Sequence, residues 1–375
     1  MERRERGFLG RLLVLIMSFL AVIGLIAMTL SVINPYINPQ QFFWTSFFGL
    51  SFWVIFIYNV LVLLLLVLLW SRKAWIAVLA LLISIPGFNK SFSFGNKAKA
   101  DDSFRIMSYN VHFFGDINKE LNKEEFANLV MDVVREQAPD VLCCQEFQTF
   151  NYKLTRPQCI NAFAEGINFP YVYYNKNTNY GGNVIFSKYP IEKVTEDSGF
   201  GQENLYGVMV SVDAGKKGRF HVANVHLLSY NITDDELEIL TSPPDLQNNL
   251  DTVGKSVLKK LSYGIVRRSE EIDRMLGGMP TVEGPVIVCG DFNETPLSYI
   301  YRKMQKAGYV DAFTKVGRGI KPTYARKLPL LRIDYIWANP EAVPLNFERY
   351  RLKASDHYPI ILDFSIHQQT NTEQL

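Results

Sequence analysis

The 375-residue chain predicts an α/β fold of two packed mixed β-sheets flanked by helices, preceded by transmembrane α-helices. Three observations predict it. The first hundred residues are dominated by long uncharged apolar runs. Beyond residue 102, short runs rich in Val, Ile, Leu and Cys alternate with polar stretches and a few helical patterns. Those runs end on Asn, Glu, Asp or His, and strand ends are where an α/β protein builds a site.

Residues 12–33 are uncharged and long enough to cross a bilayer. Residues 42–70 form a second run, longer than a span needs and therefore tilted or partly interfacial. Trp44, Trp53 and Trp70 fit interfacial anchoring in part. A third run, residues 75–88, is short for a span. Two long uncharged runs in tandem argue against buried core helices, so residues 1–88 read as a membrane region with two to three transmembrane helices. Arg3, Arg4, Arg6 and Arg11 precede the first run, and Arg72 and Lys73 follow the second. The connection at residues 34–41 has no Lys or Arg. The N-terminus and the Arg72 link therefore face the cytoplasm. If the third run spans, the rest of the chain lies outside; if it only rests on the surface, the rest is cytoplasmic. The expectation is a multi-pass protein of a bacterial inner membrane with its larger domain on the periplasmic side.

Of 39 basic and 37 acidic residues, nine and two fall in the first hundred, leaving 30 against 35 beyond them. A nonspecific nucleic-acid binder usually carries a basic excess, which this part lacks. Cys143, Cys144 and Cys289 lie in strand-like runs and read as small buried hydrophobes. No Cys-x-x-Cys spacing occurs.

Residues 89–102 are polar and read as a linker; residues 103–367 form the second domain, and 368–375 a flexible tail. Within that domain, residues 105–112, 140–145, 183–187, 208–212, 220–226, 286–289, 334–337 and 360–364 read as strands, and 123–137 as an amphipathic helix. Residues 229–284 are long for a connection and include a basic helix at 253–275. That helix is either a solvated face, or a lid or a surface that touches anionic lipid near the anchor.

Six polar motifs follow in order: Ser108-Tyr109-Asn110, Gln145-Glu146, Asn224-Val225-His226, Gly290-Asp291-Phe292-Asn293, Ile333-Asp334-Tyr335 and Ser355-Asp356-His357. Carboxylates, carboxamides and imidazoles in this mix suit a hard divalent cation and phosphate chemistry, not zinc or a nucleophilic triad. Glu146 at the tip of a buried strand needs a cationic partner. Asp291 and Asn293 are two apart and share a face if the segment is extended. The alternative is a simple Asx turn after a strand, against which the company of the other motifs argues. His112, two beyond Asn110, is left without a role.

In order and spacing these motifs resemble the endonuclease/exonuclease/phosphatase family, over about residues 103–365. The resemblance implies an α/β (α+β) four-layer sandwich. It implies Mg2+ (or Mn2+) held by Glu146, Asn110 and Asp356. It makes Asp291 the base for water, Asn293 a group that orients water or phosphate, and His357 a phosphate contact oriented by Asp334. His226 falls near the leaving group and is the candidate general acid. Gln145 supports the site.

The expected function is hydrolysis of a phosphodiester or phosphomonoester by metal- and Asp-activated water. The substrate is a lipid or small molecule near the bilayer, or else DNA or RNA cut by a tethered nuclease. A rival of another class is a non-catalytic tethered binding module, against which the complete set of motif residues argues. No protein partner is implied.

Overall fold

A computed structural model describes residues 8–98, 100, 102–174, 182–194, 207–230, 232, 236, 246–326, 330–352 and 354–366. The expected tail and much of the start of the 229–284 stretch lie outside the described residues. The chain divides into two compact units: residues 1–91 together with Glu294–Arg302, and the remainder.

The first unit is helical: α1 (Phe8–Ile33), α2 (Pro39–Phe42), α3 (Ser46–Leu50), α4 (Phe52–Leu68) and α5 (Trp75–Ser91). The stretches Phe8–Tyr36 and Arg72–Ser91 are each long and apolar enough to cross a membrane. Pro39–Leu50 and Phe52–Leu68 qualify only as a pair bent by 52°, so the count is two spans, or three if the pair is one. The long second run of the sequence is thus broken rather than simply tilted. Its helix is interrupted at Ser51, whose ψ of 13° leaves the α region, a backbone event that hydropathy does not register. α1, α4 and α5 pack on one another through Ala21, Val62, Leu66 and Ala77. Asn59 in α4 donates to the Gly24 carbonyl of α1 at 3.2 Å, the close approach that small residues permit between apolar helices. Leu15, Phe19, Ile26, Leu61, Leu64 and Leu68 face outward, an exterior suited to lipid rather than water.

The second unit holds fourteen strands among the described residues: β1 (Ser93–Phe94), β2 (Phe104–Asn110), β3 (Val141–Gln145), β4 (Tyr171–Tyr174), β5 (Val184–Ser187), β6 (Ile191–Lys193), β7 (Gly207–Asp213), β8 (Arg219–His226), β9 (Val286–Asp291), β10 (Val310–Asp311), β11 (Arg318–Gly319), β12 (Asp334–Ala338), β13 (Ala342–Arg349) and β14 (Ile360–Ile366). One six-stranded sheet runs β13-β14-β2-β3-β5-β4 and the other β10-β12-β9-β8-β7-β6. Each sheet has a single parallel pair at its centre, β2–β3 and β8–β9, and is otherwise antiparallel. A parallel pair needs a crossover. α6 (Lys123–Gln137) supplies the first and α8 (Leu246–Gly278) the second, with α7 (Arg156–Gly166) between them in the chain.

Alternation along the strands builds two cores. Ile106, Cys143 and Ile185 of one sheet meet Val210, Val222, Ile287 and Cys289 of the other. Met107, Leu142, Cys144 and Phe186 face the opposite way and pack under Phe126, Val130 and Phe163 of α6 and α7. Strands covered on both faces read as continuous apolar runs, which is why they were visible in the sequence. All four cysteines are free and buried. Burial pushes the thiols of Cys143 and Cys144 up, in keeping with small hydrophobes.

Candidate active site

The two parallel pairs place their C-terminal ends together. In the register, Asn110 lies opposite Gln145, and His226 opposite Asp291. Asp334 opens β12 directly across from Asp291. The sheets are joined at this end by a buried carboxamide bridge. Gln145 Nε2 donates to Asn224 Oδ1 at 2.6 Å and to Ser108 Oγ at 3.1 Å, and Asn224 Nδ2 donates to the Cys144 and Val184 carbonyls. A buried polar bridge of this kind fixes sheet register where an apolar contact would slide.

Asp291 sits at the centre and is 1 % exposed. Its Oδ2 accepts from Asn110 Nδ2 at 3.1 Å and lies 3.5 Å from His357 Nε2 and 3.9 Å from His226 Nε2. Burial pushes its carboxyl up to about 6, with nearby His357 pulling the other way. Gly290 before it has φ of 138°, and a Cβ there would stand 1.9 Å from the Val225 carbonyl oxygen, so only glycine lets β9 end here. Asn293 is not on an extended segment as the spacing suggested. Its φ is +52°, its N–H donates to Asp291 Oδ1 at 2.8 Å, and its Nδ2 donates to the Leu227 carbonyl at 3.0 Å. The Asx turn considered as an alternative is present, and it is what places Asn293 beside Asp291.

His357 Nδ1 hydrogen-bonds Asp334 Oδ2 at 2.9 Å, and its backbone N–H donates to Ser355 Oγ at 3.1 Å. Burial alone would lower this imidazole, but the Asp334 and Asp291 carboxylates outweigh it and hold it well above the ordinary range. Asp291, Asp334 and His357 bring ligand atoms within 4.8 Å of one another, an arrangement compatible with a metal ion.

Across Asp291 lies a second group. Glu146, at φ +55°, has Oε1 3.5 Å from His226 Nε2 and Oε2 3.6 Å from His112 Nδ1. Asp356 Oδ1 is 3.3 Å from the same His112 nitrogen, and Asp356 Oδ2 3.4 Å from Arg326 Nε. Burial opposes ionisation of Glu146, yet the imidazoles of His112, His226 and His357 draw its carboxyl down to about 2. Glu146 Oε2 and Asp356 Oδ1 are nevertheless buried without a hydrogen-bond partner. Two anionic oxygens left this way fit a hard divalent cation.

A family model described as the endonuclease/exonuclease/phosphatase family matches residues 107–357. The chain belongs to this family. A second match, to a domain of unknown function, covers residues 11–91. The uncharacterized protein YbhP of Escherichia coli (strain K12) is 25 % identical over 286 residues, covering 69 % of this chain and 94 % of that one. Among solved structures, an endonuclease/exonuclease/phosphatase from Beutenbergia cavernae DSM 12333 is similar at 17 % identity and a TM-score of 0.48, over 70 % of this chain and 72 % of that one. An AP endonuclease from Archaeoglobus fulgidus is similar at 18 % and 0.47, over 70 % and 100 %. A 3' phosphatase, NExo, from Neisseria, bound to product DNA hairpin, is similar at 16 % and 0.46, over 70 % and 99 %.

All eight residues singled out in the sequence, Asn110, Glu146, His226, Asp291, Asn293, Asp334, Asp356 and His357, converge in this family member at one end of the two sheets. Sequence reading missed His112 and Arg326, whose Nη2 lies 3.3 Å from His112 Nε2. The turn that presents His112 has three successive non-glycine residues at positive φ, His112, Phe113 and Phe114. Such backbone is costly and marks a site, but its residue types give no warning of it. The two-residue spacing from Asn110 was the available signal. The basic helix α8 is not simply a solvated face. Arg268 is fully buried, donates to the Leu228 carbonyl at 2.8 Å and stacks over Tyr230, and Glu271 accepts from the Leu228 N–H at 2.8 Å. Those bonds fix the chain just beyond His226.

Proposed function

We propose that this family member is a membrane-anchored, divalent-cation-dependent phosphoesterase that uses water activated by Asp291. The observation that carries the reading is the pairing of a buried, upshifted carboxyl at Asp291 with Glu146 and Asp356, each of which keeps one buried carboxylate oxygen without a hydrogen-bond partner, on opposite sides of the same end of the sheets. Glu146 and Asp356, with Asn110 beside them, would hold Mg2+ or Mn2+. When bound, such an ion supplies positive charge to a phosphate oxygen.

The protein groups do the rest. Asp291, near 6, is a stronger base than an ordinary carboxylate and remains ionised at neutral pH, so it can take a proton from water. One N–H of the Asn293 carboxamide is spent on the Leu227 carbonyl, which leaves its other N–H and its oxygen to orient that water. His357, kept cationic by Asp334, offers an N–H to the charge developing on phosphorus-bound oxygen. His226 Nε2, buried without a hydrogen-bond partner, is free to give a proton to the leaving oxygen. No covalent enzyme intermediate is needed.

The apolar helices and the acidic balance of residues 101–375 favour a phosphodiester or phosphomonoester near the bilayer over nucleic acid. With the bent pair counted as one span, three crossings and the basic N-terminus support a hydrolase on the outer, periplasmic side of a bacterial inner membrane. The test uses the full-length protein in detergent–lipid micelles with Mg2+, with chelator and Asp291→Asn as controls. Its panel is phosphatidyl lipids, sphingomyelin, inositol phosphates, plasmid DNA and RNA. Turnover of a lipid or small phosphoester, lost in both controls, supports the reading. Turnover of DNA or RNA alone replaces it with a tethered nuclease, and turnover of nothing replaces it with a binding module.

A further inference from the structure

The chain leaves Asn293 directly into Glu294–Arg302, and that segment is part of the compact unit of apolar helices. Leu297 is its anchor. It is 2 % exposed and packs with Met28, Phe52 and Ala80. Its carbonyl accepts from Asn34 Nδ2 at 2.7 Å, and Asn34 Oδ1 accepts from Thr45 Oγ1 at 3.0 Å. Two glycines make the recess. A Cβ on Gly49 would stand 2.4 Å from the Leu297 carbonyl oxygen, and one on Gly87 would stand 2.9 Å from Leu297 Cδ2. Farther along, the Arg302 guanidinium lies 3.9 Å over the Tyr36 ring.

Helices that only anchored a domain would need no such recess. A buried carboxamide among apolar side chains is unfavourable unless it is hydrogen-bonded, and Asn34 is satisfied in part by this one carbonyl. The site is therefore built around Leu297. Leu297 is four residues past Asn293, a tether of at most about 14 Å, so the turn cannot be indifferent to where Leu297 is held. At Asn293 the backbone is already in the left-handed region, kept there by hydrogen bonds to Asp291 and Leu227.

We propose that the apolar helices position the active-site turn. In this reading Leu297, Asn34 and Gly49 are positioning residues for Asp291 and Asn293, and turnover depends on how the helices pack. The inference rests on the hydrolase reading for its catalytic consequence, though not for the docking itself. It gives the membrane region a part in the reaction beyond attachment.

The test compares full-length wild type, Gly49→Val, Leu297→Ala and Leu297→Met in detergent micelles. Two quantities are read: amide hydrogen exchange, and hydrolysis of bis(p-nitrophenyl) phosphate with Mg2+. The informative amides are Phe292, which donates to the Ile333 carbonyl, and Asn293, which donates to Asp291 Oδ1. Gly49→Val and Leu297→Ala are expected to speed exchange at both amides about tenfold or more, with β7 unchanged as the folding control. They should lower kcat by about tenfold to a hundredfold with KM within about twofold, and Leu297→Met should recover both. Unchanged exchange at Phe292 and Asn293 overturns the proposal, whether or not residues 296–302 loosen. So does faster exchange at the turn with kcat unaltered. If wild type hydrolyses neither this diester nor the panel above, the hydrolase reading fails by itself, and exchange at the two amides still decides whether the helices hold the turn.

Discussion

The two sides of the site differ in how far the protein completes them. On one side His357 Nδ1 is bonded to Asp334, and Asp334 N–H donates to Thr323 Oγ1 at 3.0 Å. On the other, the oxygens Glu146 Oε2 and Asp356 Oδ1 have no hydrogen-bond partner, and an imidazole stands between them at 3.3 and 3.6 Å. Both sides are buried, so solvent is not the reason for the difference. A buried carboxylate oxygen that makes no hydrogen bond is costly even beside an imidazole, and folds do not keep one without cause. The proposed function supplies the cause: one side is set to manage a proton, and the other, beside its imidazoles and Arg326, keeps two carboxylate oxygens to hold a divalent cation.

Asp291 lies between the sides, and its removal should have the largest effect. Asp291→Asn is expected to lower kcat by about a thousandfold or more, the upper range for a general base. Stabilisation by Mg2+ in a thermal melt should survive, because Glu146 and Asp356 remain. If melt stabilisation disappears along with activity, Asp291 belongs with the cation side and the division drawn above is wrong.

Glu146→Gln should show the converse. In wild type, Mg2+ at a hundred times its dissociation constant would stabilise the fold by about 2.7 kcal/mol. The variant should lose most of that shift and about a hundredfold of kcat, and its apo form should be less stable than wild type at neutral pH, because the carboxylate that the imidazoles of His112, His226 and His357 stabilise has gone. A full Mg2+ shift in Glu146→Gln would break the comparison and move the ion toward Asp291, Asp334 and His357, whose ligand atoms also lie close together.

Asp334→Asn tests the proton side with a smaller expected loss, about tenfold to a hundredfold in kcat, with the Mg2+ melt shift intact. The imidazole keeps its place through the Ser355 contact to its backbone but loses the carboxylate that holds its charge.

Both sides were legible in the sequence to different degrees, for a physical reason. Asp291 and Asp334 stand at the ends of strands buried on both faces, with His357 just ahead of β14, and such strands show as apolar runs. The same holds for Asn110 and Glu146 around β2 and β3. His112 and Arg326 lie on irregular backbone, so no periodicity points to them. Edge strands β4, with its three tyrosines, and β13, with Pro344, are half-covered and carry no clean alternation, and the sequence reading passed over both. The docking of Leu297 against Asn34 depends on a contact between distant residues. No local window contains both partners.

The smallest effect belongs to a histidine outside both sides, and it sharpens the comparison by its sign. His221 on β8 is buried, with Nε2 3.1 Å from the Glu283 carbonyl and Nδ1 without a hydrogen-bond partner. Burial lowers its pKa below the ordinary 6.5, and the Glu283 contact only partly offsets this. The folded state therefore disfavours the proton that the unfolded chain accepts. Its contribution to stability is whole above the unfolded value and is lost as pH falls from there toward the folded one. His357 has the opposite sign, because its folded pKa is raised: what its partners contribute is whole below the unfolded value and is lost as pH climbs through the folded one. Replacing His221 with Gln should flatten the acid limb of a chemical-denaturation profile just below neutral pH and leave kcat at pH 7.5 unchanged. A steeper acid limb in the variant would mean that His221 is charged in the fold. The contrast between a histidine kept neutral by burial and one kept charged by carboxylates would then fail at its simpler end.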